Sequence, residues 1–227
     1  MEMITLTLNG SEINGSAGMT ILELAQQNGI YIPTLCHDPH LKPVGACRVC
    51  LVEDEKSGFL LASCVTPIAS GMKINTASAR VLEARKTVIE LLLAGHPDSC
   101  IICEKGNNCQ LRKIAAELGV GHIEFDRIRR FSPIETTNPF IERDLTKCIM
   151  CGKCIRGCQE IEGIGAVDYV NRGFRAKPAT ALDLPLEQSN CEFCGLCVYL
   201  CPVGALMDKM SRYKGEAKEN VRTVCPF

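Results

Sequence analysis

The sequence predicts an α+β fold in three successive parts. Residues 3–8 alternate polar and apolar ahead of an Asn9-Gly10 turn, the pattern of a β-hairpin. From Ser78 the apolar residues change to spacings of three and four, the period of an amphipathic helix. In the last third, four cysteines recur at one fixed offset, the signature of a duplicated unit.

In the first part, expected over residues 1–78, Glu12 to Asn14 returns from the Asn9-Gly10 turn as a second strand. Thr20 precedes Glu23 by three residues at the head of TILELAQQNG, a capping box that opens a helix and that Gly29 can close. Strand, strand, helix opens a β-grasp fold, with LVE at 51–53, FLLASC at 59–64 and MKIN at 72–75 as its remaining strands. In the second part, 79–131, Val81, Ala84, Val88, Leu91 and Leu92 are the expected apolar face of a helix stopped by Gly95 and Pro97. A second helix after Cys109 carries Leu111, Ile114, Ala115 and Leu118 on one face and ends at Gly119, so Cys100 to Cys109 is a loop held between two helices. After a linker around Ser132 to Pro139, the third part, 132–227, holds the repeat, with Ala166–Val170 and Gly173–Arg175 expected to form a small β-hairpin inside it.

Composition narrows the function. Sixteen cysteines in 227 residues need an explanation by disulfides, zinc or iron–sulfur clusters. The start, MEMITLTLNG, lacks the features of a secretory leader, so a cytoplasmic location is expected, where thiols stay reduced and metal is the better account. The longest apolar runs, such as VIELLLAG, fall short of the ~20 residues that cross a bilayer, so no direct membrane insertion is expected. The net charge of −1, with both signs interspersed, carries no nucleic-acid footprint. Arg127, Arg129 and Arg130 form a local basic cluster that reads as a solvated face or as contact with an acidic partner. There is no GxGxxG, phosphate loop or GxSxG, and no catalytic residue is expected.

Each half of the repeat reads CxxCxxCxxxC: Cys148, Cys151, Cys154 and Cys158, then Cys191, Cys194, Cys197 and Cys201. In bacterial-type two-cluster ferredoxins such a run wraps one cubane with three cysteines and sends the fourth to the other. The expected quartets are therefore crossed, with Cys148, Cys151, Cys154 and Cys201 on one [4Fe–4S] cluster and Cys158, Cys191, Cys194 and Cys197 on the other. Gly152 and Gly195 permit tight turns that aim amide N–H groups at sulfur. Pro202 follows the second run where the motif expects proline, whereas Gln159 follows the first. Zinc ribbons also use CxxC, but as two pairs rather than a duplicated triple with a fourth cysteine.

Two further donor groups stay open on residues alone. Cys36, Cys47, Cys50 and Cys64 lie in the β-grasp part, but ten residues separate the first two where plant-type ferredoxins have four. In HPDSCIICEKGNNCQL, His96, Cys100, Cys103 and Cys109 suit a Cys₃His zinc site or a cubane with one histidine ligand. His96 also sits where a histidine would face the carbonyl end of the preceding helix. Fifteen cysteines and His96 make four sets of four, leaving Cys225 over. His37, His40 and His122 are isolated; the first two flank Cys36, where packing or exposure is the plainer reading than tuning or shielding. Arg48, Met150 and Lys153 lie within the cysteine runs, where charge and polarity act on potential.

The segment LCHDPHLKPVGACRVCLVE resembles the [2Fe–2S] domain at the start of the large peripheral iron–sulfur subunit of respiratory complex I. HxxxCxxCxxxxxC after LLLAGHP resembles the histidine-ligated [4Fe–4S] site of complex I and of related hydrogenases and formate dehydrogenases. From about Met3 to Cys225 the chain resembles the N-terminal electron-transfer half of NAD-dependent formate dehydrogenase α subunits, and multi-cluster iron–iron hydrogenases open similarly. The resemblance implies a [2Fe–2S] cluster on Cys36, Cys47, Cys50 and Cys64, and a [4Fe–4S] cluster on His96, Cys100, Cys103 and Cys109. With the two ferredoxin cubanes, the cofactors would be one [2Fe–2S] and three [4Fe–4S] clusters. It further implies a hetero-oligomer, with a flavin-containing NAD(P)(H)-oxidising subunit on one side and a catalytic or ferredoxin-linked subunit on the other. The hydrogenase active-site cysteines and the pterin domain of those families are missing. The terminal VRTVCPF resembles the opening of a further cluster motif in molybdenum or tungsten formate dehydrogenases but stops after Cys225, as a truncated fusion, a separately encoded front end, a vestige or a free thiol would. The expected function is non-catalytic electron relay in an NAD(P)-linked oxidoreductase complex of formate dehydrogenase, hydrogenase or bifurcating type. The alternatives are a fragment of a catalytic formate dehydrogenase or hydrogenase subunit, and a zinc-stabilised scaffold.

Overall fold

A computed structural model describes residues 3–127, 132–210 and 219. Arg129, Arg130 and Cys225 lie outside the described residues, while Arg127 pairs with Asp98.

Strands β1 (Met3–Leu8) and β2 (Ser11–Ser16) pair antiparallel, with Met3 opposite Ser16. Both turn residues have positive φ, 50° at Asn9 and 83° at Gly10, as a hairpin twisting with its strands demands. Helix α1 (Ile21–Gln27) starts on the capping box: the Glu23 N–H donates to Thr20 Oγ1 at 3.2 Å and the Thr20 N–H to Glu23 Oε2 at 2.7 Å. Strands β3 (Leu51–Asp54), β4 (Phe59–Ala62) and β5 (Lys73–Asn75) complete a five-stranded sheet in the order β2-β1-β5-β3-β4. Its central β1/β5 pair is parallel and the others antiparallel, the β-grasp arrangement. Leu22 and Leu24 of α1 pack with Leu6, Leu8, Val52 and Ile74 of the sheet in a core that also contains Cys50 and Cys64.

Helix α2 (Ala79–Ala94) is capped by Ser78, whose Oγ accepts from the Val81 N–H at 3.2 Å. Its inner face differs from the expected one: Val81, Arg85, Ile89 and Ala94 are buried, whereas Leu91 is 54% exposed. The cause is Arg85, which donates to the Leu51 carbonyl from Nε at 3.0 Å and Nη2 at 2.6 Å and so docks the helix on β3 with a charged side chain. Helix α3 (Gln110–Glu117) buries Leu111, Ile114 and Ala115.

The last part is two short strands, β6 (Ile141–Arg143) and β9 (Leu206–Asp208), paired antiparallel around the repeat. Each half of the repeat starts a helix after a left-handed glycine: α4 (Lys153–Arg156) after Gly152 at φ 70°, and α5 (Leu196–Leu200) after Gly195 at φ 77°. α4 runs on as a π-helical turn over Gly157–Ile161. The inserted hairpin is β7 (Asp168–Val170) with β8 (Lys177–Ala179). Gly173–Arg175, expected as its second strand, is instead a 3₁₀ turn in the connection, with Gly173 at φ 60° and Asn171 at φ 62° bending the chain before β8 begins. The 132–139 stretch is tied to the last part by polar contacts. Glu135 bridges to Arg143 through the backbone and an ion pair at 2.5 Å, and buried Asn138 accepts from the N–H groups of Phe140 and Ile141.

Candidate metal centres

Cys36, Cys47, Cys50 and Cys64 are all buried at the edge of the sheet. Their sulfurs form a hydrogen-bonded chain in which Cys36 meets Cys47 and Cys64, and Cys64 meets Cys50. The Cys47 N–H also points at Cys36 Sγ, at 3.4 Å. The bonds from Cys47 and Cys64 hold the Cys36 thiol down to about 2, and the bond from Cys64 brings Cys50 to about 6. Cys47 and Cys64, as partners of Cys36, are pushed up. Four thiols this close cannot all ionise unless positive charge is placed among them, and a cationic metal core would supply it.

His96 is 8% exposed at the end of α2. Its Nδ1 lies 3.1 Å from the Pro97 carbonyl, an acceptor, so the proton is on Nδ1 and Nε2 carries a lone pair. Nε2 is buried without a hydrogen-bond partner among the described residues. Burial also lowers the imidazole pKa and keeps the ring neutral, the form that binds metal. Cys100, Cys103 and Cys109 are half-buried, with Cys109 raised chiefly by burial and within electrostatic reach of the other two. This loop seats closely on the last part: a Cβ on Gly204 would lie 2.9 Å from Cys103 Sγ, and the Gln110 N–H donates to the Pro202 carbonyl at 3.0 Å.

A mostly apolar cavity is lined by Cys148, Cys151, Cys154 and Cys201, with Tyr169 of the inserted hairpin at its wall. Cys201 thus stands beside three cysteines of the other half of the repeat. The Met150 N–H is 3.4 Å from Cys148 Sγ, and the turn that directs it needs φ 56° at Met150 and φ 70° at Gly152. Burial raises Cys151 to about 12 and Cys154 well above the ordinary thiol range. The second half repeats the geometry, with Phe193 at φ 57° and Gly195 at φ 77°. Here Cys158, from the first half, accepts from the Ala166 N–H at 3.2 Å and is an electrostatic neighbour of Cys194 together with Cys191. Burial raises Cys197 to about 12, with Cys191 and Cys194 adding to it. Among the described residues, no three His, Cys, Asp or Glu side chains converge on a point where a single metal ion would reach them all.

The isolated histidines stay outside these quartets: His40 and His122 are exposed, and His37 is half-buried with its pKa lowered by burial. Sequence reasoning passed over Tyr169, Asp38 and Arg156. Only Arg156 leaves a signal, as a second cation three residues after Lys153 on the helix that carries Cys154.

The fold and donor set define an iron–sulfur protein with a [2Fe–2S] domain followed by [4Fe–4S]-binding regions, and family models match accordingly. Residues 1–79 match the 2Fe-2S iron-sulfur cluster binding domain, 85–124 the NADH-ubiquinone oxidoreductase-G iron-sulfur binding region, and 138–207 the NADH-quinone oxidoreductase subunit 3 ferredoxin-like domain. The crystal structure of an NAD⁺-reducing [NiFe]-hydrogenase in the H₂-reduced state contains a chain that superposes with TM-score 0.86 at 30% identity, over 94% of this chain and 90% of that one. NADPH-Fe(3+) oxidoreductase subunit alpha of Geobacter sulfurreducens is 38% identical over 99% of this chain and 26% of its own length. NADP-reducing hydrogenase subunit HndD of Solidesulfovibrio fructosivorans is 39% identical over 92% of this chain and 36% of its own length. The chain belongs to the iron–sulfur electron-transfer family that NADH-quinone oxidoreductases share with NAD(P)-linked hydrogenases. It spans about a quarter to a third of the length of the curated relatives it matches. Among the described residues, no helix is long and apolar enough to cross a membrane.

Proposed function

We propose that the chain is an electron relay with one [2Fe–2S] and three [4Fe–4S] clusters, joining a flavin-containing NAD(P)(H)-oxidising subunit to a catalytic or ferredoxin-linked subunit. Its parts divide at 1–78, 79–131 and 132–227. The [2Fe–2S] ligands are Cys36, Cys47, Cys50 and Cys64. The three cubanes are held by His96 with Cys100, Cys103 and Cys109; by Cys148, Cys151, Cys154 and Cys201; and by Cys158, Cys191, Cys194 and Cys197. One observation carries the reading: cysteines of all four quartets lie in, or pack against, a single core of buried side chains, so that no quartet is isolated from the next by solvent.

Bound clusters would supply one-electron exchange at potentials set by ligand type, hydrogen bonding and burial. The residues of this chain govern each of those. The N–H groups of Cys47, Met150 and Ala166 donate to ligand sulfurs and stabilise negative charge there. His96 replaces an anionic thiolate with a neutral ring, which favours the electron-loaded state. Leu111, Ile155, Val203 and their neighbours in the shared core keep water away from Cys36, Cys47, Cys151 and Cys201.

Iron and sulfide analysis of anaerobically purified protein tests the reading, with about fourteen irons per chain expected from one [2Fe–2S] and three [4Fe–4S] centres. A colourless, zinc-loaded protein would overturn it, and formate, hydrogen or NADH turnover by the chain alone would overturn the relay. That the chain spans only 26% and 36% of two relatives supports a second reading, in which it is an N-terminal fragment of a catalytic formate dehydrogenase or hydrogenase subunit.

A further inference from the structure

We propose that Lys153 and Arg156 are positioning residues that clamp the Cys36 loop to helix α4 and raise the potential of the [2Fe–2S] centre. The inference rests on the cluster assignment above and deepens it. α4 carries Cys154 and leads directly to Cys158, yet Lys153 and Arg156 do not turn to solvent as helix cations normally do. Lys153 is 5% exposed and Arg156 7%.

Both reach across to the loop that carries Cys36. Arg156 donates from Nη2 to the carbonyl of Cys36 itself at 2.6 Å, and from Nη1 to the carbonyl of Lys42 at 2.5 Å. Lys153 Nζ pairs with Asp38 Oδ2 at 3.3 Å, two residues beyond Cys36. The Lys42 N–H returns the contact, donating to Glu160 Oε2 at 2.8 Å on the π-helical turn. The Lys153 backbone N–H points the other way, to Cys151 of the neighbouring quartet. Two cations thus stand where the first quartet meets the ferredoxin part, and among the described residues only one of them has a carboxylate within ion-pair distance.

Arg156 carries a guanidinium whose three polar atoms face two neutral carbonyls and, at Nε, no partner among the described residues. Burying such a charge without a counter-ion is costly. An electron arriving at the [2Fe–2S] centre adds one negative charge nearby, and the attraction is not screened by salt as it would be at the surface. The cations therefore favour the reduced state of that centre while holding the Cys36 loop in register with the Cys154 helix.

The test is an EPR-monitored dithionite titration of the [2Fe–2S] signal in the full chain, loaded anaerobically, with iron content measured in parallel. Arg156→Gln should lower the midpoint potential, and Arg156→Lys should recover most of the shift because it keeps the charge. Asp38→Asn, which leaves Lys153 uncompensated, should move the midpoint upward. Opposite shifts at full iron content support the inference, since disruption of the interface alone would move both variants in one direction. If Arg156→Gln loses iron, the upward shift in Asp38→Asn decides the matter. Unmoved potentials, or shifts of the same sign, overturn the inference alone. A wild-type chain with no [2Fe–2S] signal overturns the cluster assignment beneath it.

Discussion

His96 shows how much one hydrogen bond decides. Because Nδ1 donates to the Pro97 carbonyl, the buried Nε2 is left with a lone pair and, among the described residues, no donor to meet it. Replacing His96 by cysteine should keep a cubane and lower its midpoint potential, since a thiolate adds negative charge where imidazole is neutral. Redox titration checks this, and an unchanged potential counts against His96 as a ligand. The spacing HxxxC already singles out this residue, but its tautomer depends on a carbonyl whose direction is a property of the folded turn.

At the scale of elements, short segments are held by a few local devices. The capping box of α1 satisfies two otherwise orphaned N–H groups, and Thr20→Ala should cost about 1 kcal/mol, read from the denaturant midpoint of the loaded chain. The π-helical turn that continues α4 meets α5 at Gly157, where a Cβ would lie 2.4 Å from Leu200 Cδ1. Leu200 is itself buried and has little room to move, so Gly157→Ala should destabilise by roughly 1–3 kcal/mol through overpacking, seen as a lower melting temperature. An unshifted melting curve would mean that the two helices can separate without penalty. Both the hairpin turn and the capping box are legible in sequence, because each depends on residues a few positions apart. The inner face of α2 is not. Apolar spacing selects Leu91, whereas Arg85 is buried because a carbonyl on β3, far back in the chain, accepts its guanidinium.

Over the whole molecule, the repeat brings its two halves face to face, and Cys201 lines a cavity with Cys148, Cys151 and Cys154. Cys158→Ser should therefore disturb the centre whose other proposed ligands are Cys191, Cys194 and Cys197. EPR of the singly substituted, reduced protein resolves which cubane signal is lost, and loss confined to the Cys148 triplet would contradict the crossed arrangement. The pairing of β6 with β9, which closes this unit, is not legible in sequence because each strand has only three residues and little pattern of its own.

The spacing of the cysteines, the offset of the repeat, the turn glycines and the helix caps are matters of neighbouring residues, so the order of amino acids alone settles them. The clasp of Lys153 and Arg156 on the Cys36 loop, the docking of Arg85 on β3, and the wall that Tyr169 supplies to the Cys148 cavity were decided by the fold. Each is a buried polar or close contact between segments remote in sequence, and its sign and strength depend on distance and on exclusion of water, quantities that exist only once the chain has closed on itself.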